Sequence, residues 1–278
     1  MLAPRTSCML LALLTLILAA SCANPRARSE PAEDQPHLRV MTYNVNYGLA
    51  GDAETVEAIR QGGAGVVFLQ ETTPAWEQVL REQLGGDYPH MVFRHCCGAG
   101  GLAVLSKFPL QAAEYMQAPE GGWFPGWRVL VDSPIGQLQA LNVHLRPPVS
   151  DSGSVVLGYF STGEVRRRQI EGFWRKIDPG LPTLVVGDFN EDTGGDAVEF
   201  LATRGLQSVL PEFEPAADTW RWQTSLGQLD SRLDHVTYDR RLRALDARAL
   251  QAGRSDHLPV VATFVASEAE EPRNDSSR

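Results

Sequence analysis

Six short stretches of the chain end in side chains suited to one kind of chemistry. They carry Asn44 in TYNV, Glu71 in FLQE, His144 in NVHL, Asp188 with Asn190 in GDFN, Asp234 in RLDHV, and Asp256 with His257 in SDHLPV. Carboxylate and amide oxygens suit a hard divalent cation such as Mg2+, which keeps several waters and takes one or two carboxylates beside a substrate phosphate. A histidine next to a carboxylate suits proton transfer or contact with a phosphate. Each residue alone also has a structural reading. Glu71 could cap a helix before Thr73, His144 could be an ordinary half-buried histidine, Asp188 could open a turn, and Asp256 could cap a loop. What those separate readings leave unexplained is the repetition: apolar run after apolar run stops at a polar group of this type. The chain lacks the paired Cys/His spacing of a structural zinc site.

Periodicity supplies the elements that must position these groups. Leu38–Tyr47 alternates and reads as a strand, and Val66–Glu71 reads as a buried one. Asp52–Gln61 reads as a helix begun by Asp52. Thr73–Leu84 reads as a second, with Thr73 as cap, Pro74 in the first turn and Gly85–Gly86 as the stop. His90–His95, Gly101–Phe108, Trp127–Asp132 and Leu138–Leu145 read as strands between Gly and Pro punctuation. Gly163–Ile177 is a helix, Leu184–Gly187 a strand and Ala197–Thr203 a short helix, and Leu233–Tyr238 and Val260–Val265 are late strands. Runs of neighbouring strands occur twice, which points to an α/β protein with a two-sheet sandwich and flanking helices, not a single parallel sheet. In α/β sheets, ligands gather at the carboxyl ends of strands, where GDFN lies.

Composition sets the bounds. The 278 residues are 43 % hydrophobic and 21 % charged, enough for one large core. A net charge of −9 argues against broad nonspecific nucleic-acid binding, which uses basic surface. Arg5 and the apolar Met9–Ala20 run read as a signal peptide spanning 1–22, too short for a membrane span. Its end, LAASC, resembles a bacterial lipobox that would place a lipid anchor on Cys22, although Ala19 stands where Leu is favoured; signal-peptidase cleavage near Ala23 is the alternative. The protein is accordingly expected in the bacterial cell envelope or secreted. Residues 23–36 read as a flexible tether, 37–266 as the folded domain and 267–278 as a disordered tail. Cys96 and Cys97 are expected as two partly buried thiols, with a vicinal disulfide as the alternative in an oxidising compartment.

From about Leu38 to Val265 the chain resembles the endonuclease/exonuclease/phosphatase superfamily, the deoxyribonuclease I-like fold. The resemblance rests on TYNV, FLQE, GLAVLSKFPL, NVHL, GDFN, RLDHV and SDHLPV, in family order over nearly the whole mature chain. It implies a four-layer α/β sandwich, two mainly antiparallel sheets face to face with helices outside. It also implies roles. Glu71 would bind Mg2+, or Mn2+ in its place, with Asn44 beside it and Asp256 close to the metal. Asp188 would orient or deprotonate the attacking water, and Asn190 would hold that water or a phosphate oxygen. His144 would contact the phosphate. His257 would act beside it as base or electrostatic stabiliser, its ring fixed by Asp234. Whether Asp188 or His257 takes the proton stays open at this level. Asn46 and His144 stand where apurinic-site endonucleases carry Asp and Tyr, which points away from that branch.

The implied activity is phosphoester hydrolysis by a metal-dependent phosphodiesterase, expected as a monomer. Nucleic acid, phospholipid and inositol phosphate all stay open as substrate, because that choice lies in loops such as Ala118–Gly126, Pro147–Thr162 and Pro211–Ser231. A non-catalytic surface lipoprotein that binds a phosphorylated ligand is the rival reading. The Arg166–Arg168 run reads as a solvated helix face. Trp123, Phe124 and Trp127, and the pair Trp220 and Trp222, either plug the core edge or meet bases or lipid. Asp188 and His257 are expected as solvent-reachable groups.

Overall fold

Alternating inward and outward side chains give each sheet two apolar faces, and covering both faces decides the layering. The computed structural model describes residues 24–150, 152–153, 158, 161–225 and 227–267. Its strands are β1 (Leu38–Asn44), β2 (Val66–Gln70), β3 (His90–Arg94), β4 (Leu102–Ser106), β5 (Leu110–Met116), β6 (Gly126–Ser133), β7 (Gly136–His144), β8 (Thr183–Asp188), β9 (Gln207–Ser208), β10 (Trp220–Thr224), β11 (Gly227–Ser231), β12 (Asp234–Tyr238), β13 (Leu242–Ala249) and β14 (Val260–Ala266). The helices are α1 (Ala53–Gly62), α2 (Pro74–Leu84), α3 (Gly163–Trp174), α4 (Asp196–Thr203) and the single turn α5 (Leu210–Phe213).

One sheet runs β13-β14-β1-β2-β4-β3, the other β5-β6-β7-β8-β12-β9, and β10-β11 forms a separate hairpin. Pairing is antiparallel except for β1 with β2 and β7 with β8. Between the sheets lie Val40, Phe68, Val104 and Phe264 from the first, and Val129, Ala140, Val186 and Val236 from the second. The outer face of the first sheet packs Met41 and Leu69 against Ile59 of α1 and Trp76 and Leu80 of α2. The outer face of the second packs Leu141 and Val185 against Ile170 and Phe173 of α3 and Val198 and Leu201 of α4. Each such large side chain, fully buried, stabilises by about 1.5–3 kcal/mol. The four layers are those the sequence implied.

The helix starts also follow the sequence. The Asp52 side chain accepts from Thr55 N and that of Thr73 from Trp76 N, each cap contributing about 1 kcal/mol. The strands with no clear apolar period are where the reading fell short. β5 is largely exposed and its register shifts between Ala112 and Glu114, and β13 shifts between Ala244 and Asp246. A bulge breaks the period of two on which strand reading depends. β1 ends at Asn44, not Tyr47, because Asn46 adopts φ 59° and turns the chain into a 3-10 turn at Tyr47–Leu49.

Residues 24–36, expected as a solvated tether, are mostly exposed but lie along the body of the fold. Arg26 N donates to Glu212 O at 2.6 Å and Ser29 N to Leu245 O at 3.0 Å, while Arg28 pairs with Asp246 at 2.9 Å and with Glu214. Backbone bonds to the second half of the chain hold a segment whose composition alone reads as free. The expected signal segment, Cys22 and the tail from residue 268 onward lie outside the described residues. No helix among the described residues is long and apolar enough to cross a membrane.

The arginine run of α3 is not uniformly solvated. Arg166 is buried and donates from Nε to Glu191 Oε2 at 2.7 Å and from Nη1 to Thr162 Oγ1 at 2.7 Å. Glu191 Oε1 in turn accepts from Ala197 N at 2.6 Å and Val198 N at 3.0 Å, so it caps α4 from outside that helix. Burial raises the Glu191 carboxyl, and Arg166 opposes that rise. Removing one partner of a buried pair strands the other charge, at roughly 3–5 kcal/mol. Arg166→Ala should therefore lower the urea midpoint strongly. Arg167→Ala, which breaks only exposed pairs with Glu164 and Glu171, should stay within about 0.5–1 kcal/mol of the parent. Equal midpoints for the two variants would contradict this packing.

Candidate functional site

Strand register brings the polar ends together. In the second sheet, parallel β7 and β8 pair His144 with Asp188, and antiparallel β12 pairs Asp234 with Asp188. In the first, parallel β1 and β2 pair Asn44 with Gln70, leaving Glu71 one residue beyond the ladder. Gly187 makes the approach of β8 to β7 feasible. Its φ is 139°, and a Cβ there would lie 1.9 Å from Val143 O.

A polar bridge crosses the apolar gap between the sheets just below these ends. Gln70 Nε2 donates to Asn142 Oδ1 at 2.7 Å, and Asn142 Nδ2 donates to Leu69 O at 3.1 Å and Ala103 O at 3.2 Å. Glu71 follows Gln70, and His144 lies two residues beyond Asn142. The bridge therefore ties the carboxyl ends of β2 and β7 together across the sandwich.

Asp188 is the centre, with 1 % of its surface exposed. Its Oδ2 accepts from Asn44 Nδ2 at 3.1 Å and lies 3.4 Å from His144 Nε2 and 3.6 Å from His257 Nε2. Its Oδ1 accepts from Asn190 N at 2.9 Å. Asn44 Nδ2 also reaches Glu71 Oε1 at 3.1 Å, and Tyr47 N donates to Glu71 Oε2 at 3.1 Å.

Each histidine is oriented through its other nitrogen. His257 Nδ1 lies 2.8 Å from Asp234 Oδ2, which also accepts from Thr219 Oγ1 at 2.7 Å. Asp234 is fully buried, and its Oδ1 has no partner among the described residues. Burial works against a charged His257, but Asp234 and then Asp188 outweigh it and raise the imidazole pKa to about 10. His144 Nδ1 lies 3.2 Å from Ala99 O, an acceptor only, so Nδ1 carries a proton and Nε2 turns toward Asp188. The Phe124 ring lies 4.3 Å from the His144 ring at an interplanar angle of 30°.

Asp256 joins through neighbours. Its Oδ1 accepts from Asn46 Nδ2 and its Oδ2 from Trp220 Nε1, both at 3.1 Å. Asn46 N reaches Asn44 Oδ1 at 3.1 Å. All eight residues named from the sequence thus share one connected network. Asn190 enters it through its backbone, its side-chain amide donating to Leu145 O at 3.1 Å.

The backbone marks the same place. Among the described residues, the non-glycine positions with positive φ are Asn46 at 59°, Glu71 at 61° and Asn190 at 54°. Asn tolerates this region, but Glu does so at a cost of order 1–3 kcal/mol, and such conformations cluster at functional sites.

Several contributors escaped the sequence reading. Thr219 also accepts from Leu233 N and Asp234 N, both at 3.0 Å. Ser255 Oγ donates to Asn44 O at 2.7 Å and accepts from His257 N at 3.2 Å. Ser255 adjoins Asp256 and could have been noticed; Thr219 has no local signal. His235, beside Asp234, belongs instead to the structure. It bonds Glu191 O and Ser208 Oγ, both at 2.9 Å, and burial lowers its pKa to about 4.

Asp188 and His257, expected as solvent-reachable, are both buried, because facing strands and the 255–257 turn close over them. Cys96 and Cys97 form a vicinal disulfide, not the expected pair of thiols. Ligand-type atoms of Asp188, Asp234 and His257 lie within 4.8 Å of one another, close enough to share a cation. The wider set is dominated by oxygen donors, and among the described residues no Lys or Arg pairs with Glu71, Asp188 or Asp256. An acidic cluster of hard donors without Lys or Arg partners fits a cation of the Mg2+ or Mn2+ type.

Comparison with known proteins accords with this architecture. No curated protein matches the chain by sequence. An endonuclease/exonuclease/phosphatase from Beutenbergia cavernae is 23 % identical, with a TM-score of 0.67 over 84 % of this chain and 73 % of that one. TDP2 from Caenorhabditis elegans is 16 % identical, with a TM-score of 0.62 over 84 % and 77 %. ANGEL2, a 2′,3′-cyclic phosphatase, is 16 % identical, with a TM-score of 0.62 over 86 % and 98 %. At these identities the likeness shows the fold. The Endonuclease/Exonuclease/phosphatase family is itself matched over residues 41–257, the span that carries all eight site residues named above, and the chain belongs to that family.

Proposed function

We propose that the protein is a divalent-cation-dependent phosphodiester hydrolase. One observation carries the reading: a buried carboxylate, Asp188, with two oriented imidazoles and an amide converging on one of its oxygens, and Glu71 one hydrogen bond away. Hydrolysis of a phosphodiester builds negative charge on the phosphoryl and leaving oxygens, and groups fixed in advance stabilise it best. Glu71 and Asn44 would hold the cation with Asp256 beside them, and a bound Mg2+ would offset charge on the phosphoryl and leaving oxygens.

The chain's own residues supply the remainder. Asp188 would orient the attacking water and take its proton. His257, kept cationic by Asp234 and Asp188, faces the developing phosphoryl charge. His144 presents Nε2 to the same region. Asn190 braces the Asp188 carboxylate through its N–H, a positioning role that replaces direct phosphate contact by its amide.

Diester substrates are favoured over monoesters by aromatic side chains near the site. Trp123 packs edge-on to Phe124, Trp222 lies 5.9 Å from Trp220, and Tyr47 adjoins Glu71 through its N–H. All three are exposed, at 40 %, 54 % and 55 %. Flat apolar groups there suit the second substituent of a nucleic-acid or phospholipid diester. The vicinal disulfide supports an oxidising location outside the cytoplasm, in the envelope or secreted.

Bis-p-nitrophenyl phosphate should be hydrolysed with Mg2+ or Mn2+ and not with EDTA. Asp188→Asn and His257→Gln should each lose roughly 10³-fold in kcat/KM. The thermal midpoint should move by only a few degrees in Asp188→Asn and fall further in His257→Gln, which strands the buried Asp234 carboxylate. Turnover indifferent to both EDTA and His257→Gln would leave a ligand-binding protein as the better account. A second outcome concerns the cation. Glu71→Gln should raise the Mg2+ concentration for half-maximal activity roughly tenfold or more, and an unchanged titration would remove Glu71 from the ligand set.

A further inference from the structure

The Cys96–Cys97 disulfide lies in the loop that orients His144. The loop is clamped at both ends. His95 Nε2 lies 2.6 Å from Glu77 Oε2 on α2, and Gly101 O accepts from Thr72 N at 3.1 Å. At Gly101 the contact with residue 72 is so close that a Cβ would lie 1.8 Å from Thr72 O. Between the clamps the chain reads Cys96-Cys97-Gly98-Ala99-Gly100, and Ala99 supplies the carbonyl that meets His144 Nδ1.

Two glycines in five residues make that segment a poor device for holding one carbonyl in place. The disulfide removes much of the freedom. It closes a small ring around the peptide bond between the two cysteines, and Cys97 O accepts from Gly100 N at 3.1 Å in the turn that presents Ala99. Both sulfurs also bear on the site wall. A Cβ on Gly100 would meet Cys97 Sγ at 3.1 Å, Cys96 Sγ at 3.3 Å and Phe124 at 2.9 Å. Phe124 is the ring stacked on His144. Sulfur, glycine, phenyl ring and imidazole thus stand in one contiguous row.

We propose that the Cys96–Cys97 disulfide positions His144 and that its reduction switches the site to a less active state. The proposal rests on the hydrolytic reading given above. Reduction would break the S–S bond, each sulfur gaining one electron and one proton from a dithiol, which is itself oxidised to a disulfide. The ring opens, the 96–100 segment regains backbone freedom, and the Ala99 carbonyl no longer meets His144 Nδ1 in one fixed geometry. His144 then loses its fixed ring orientation, and with it the alignment of Nε2 toward the phosphate. Cys97 is exposed and Cys96 half-buried, so a reductant can reach the bond.

The test uses the full chain in oxidised form and after treatment with dithiothreitol. Turnover of bis-p-nitrophenyl phosphate should fall roughly tenfold or more in kcat, with KM changed less than about twofold, and reoxidation should restore it. The C96S/C97S double variant, which keeps Cys8 and Cys22, should show the low rate with or without reductant. Side-chain 15N NMR gives a readout independent of turnover. The oxidised protein should show a discrete His144 Nδ1–H signal, and the reduced protein an averaged or absent one. A rate equal in both redox states would overturn the proposal, and so would a His144 signal unmoved by reduction. A protein that hydrolyses nothing in either state but whose His144 signal still responds would overturn the hydrolytic reading and leave the positioning role standing.

Discussion

A carboxylate with 1 % of its surface exposed must find partners inside the protein, and Asp188 draws them from three distant segments. Asn44 donates to it from β1, while His144 at the end of β7 and His257 before β14 turn a ring nitrogen toward it. Those requirements hold the fold and the site to one geometry. β8 can deliver Asp188 beside His144 only because Gly187 lets its backbone lie against Val143. The two sheets can face each other at the right separation because Gln70 and Asn142 bridge them beneath the site.

Electrostatics and positioning are divided between inner and outer groups. Asp234 lies fully buried, held by Thr219, and gives His257 its charge and its orientation. Ala99 and Phe124 give His144 its orientation. The acids nearer the mouth, Glu71 and Asp256, are instead held by amides, an indole and backbone N–H groups. Neutral donors leave a carboxylate its negative charge, whereas a lysine or arginine would offset it. A protein that binds a cation needs that distinction, and this chain places its neutral donors where the oxygen ligands converge.

Much of this was legible in the sequence. An apolar run that stops at Asp, Glu, His or Asn names both a strand and its end, so Asn44, Glu71, His144 and Asp188 could be located before any coordinates. The layering followed from two runs of neighbouring strands. What stayed hidden depends on contacts between segments far apart in the chain. Arg166 looks like its neighbours Arg167 and Arg168, but Glu191 draws it inward. Thr219 sits fifteen residues before Asp234 in a loop of no fixed period. Cys96 and Cys97 bond each other, and nothing local reveals that their loop faces His144. The largely exposed, bulged β5 shows that a strand with few buried residues and a broken period leaves almost no trace in composition.

The central claim is that these strand ends form one phosphate-binding centre gathered around Asp188. A crystal structure of the protein grown with Mn2+ and inorganic phosphate tests it most directly. The account predicts an anomalous manganese peak against the Glu71 carboxylate and a phosphate in contact with the Nε2 atoms of His144 and His257. Manganese and phosphate bound elsewhere, with this network unchanged and empty, would contradict it.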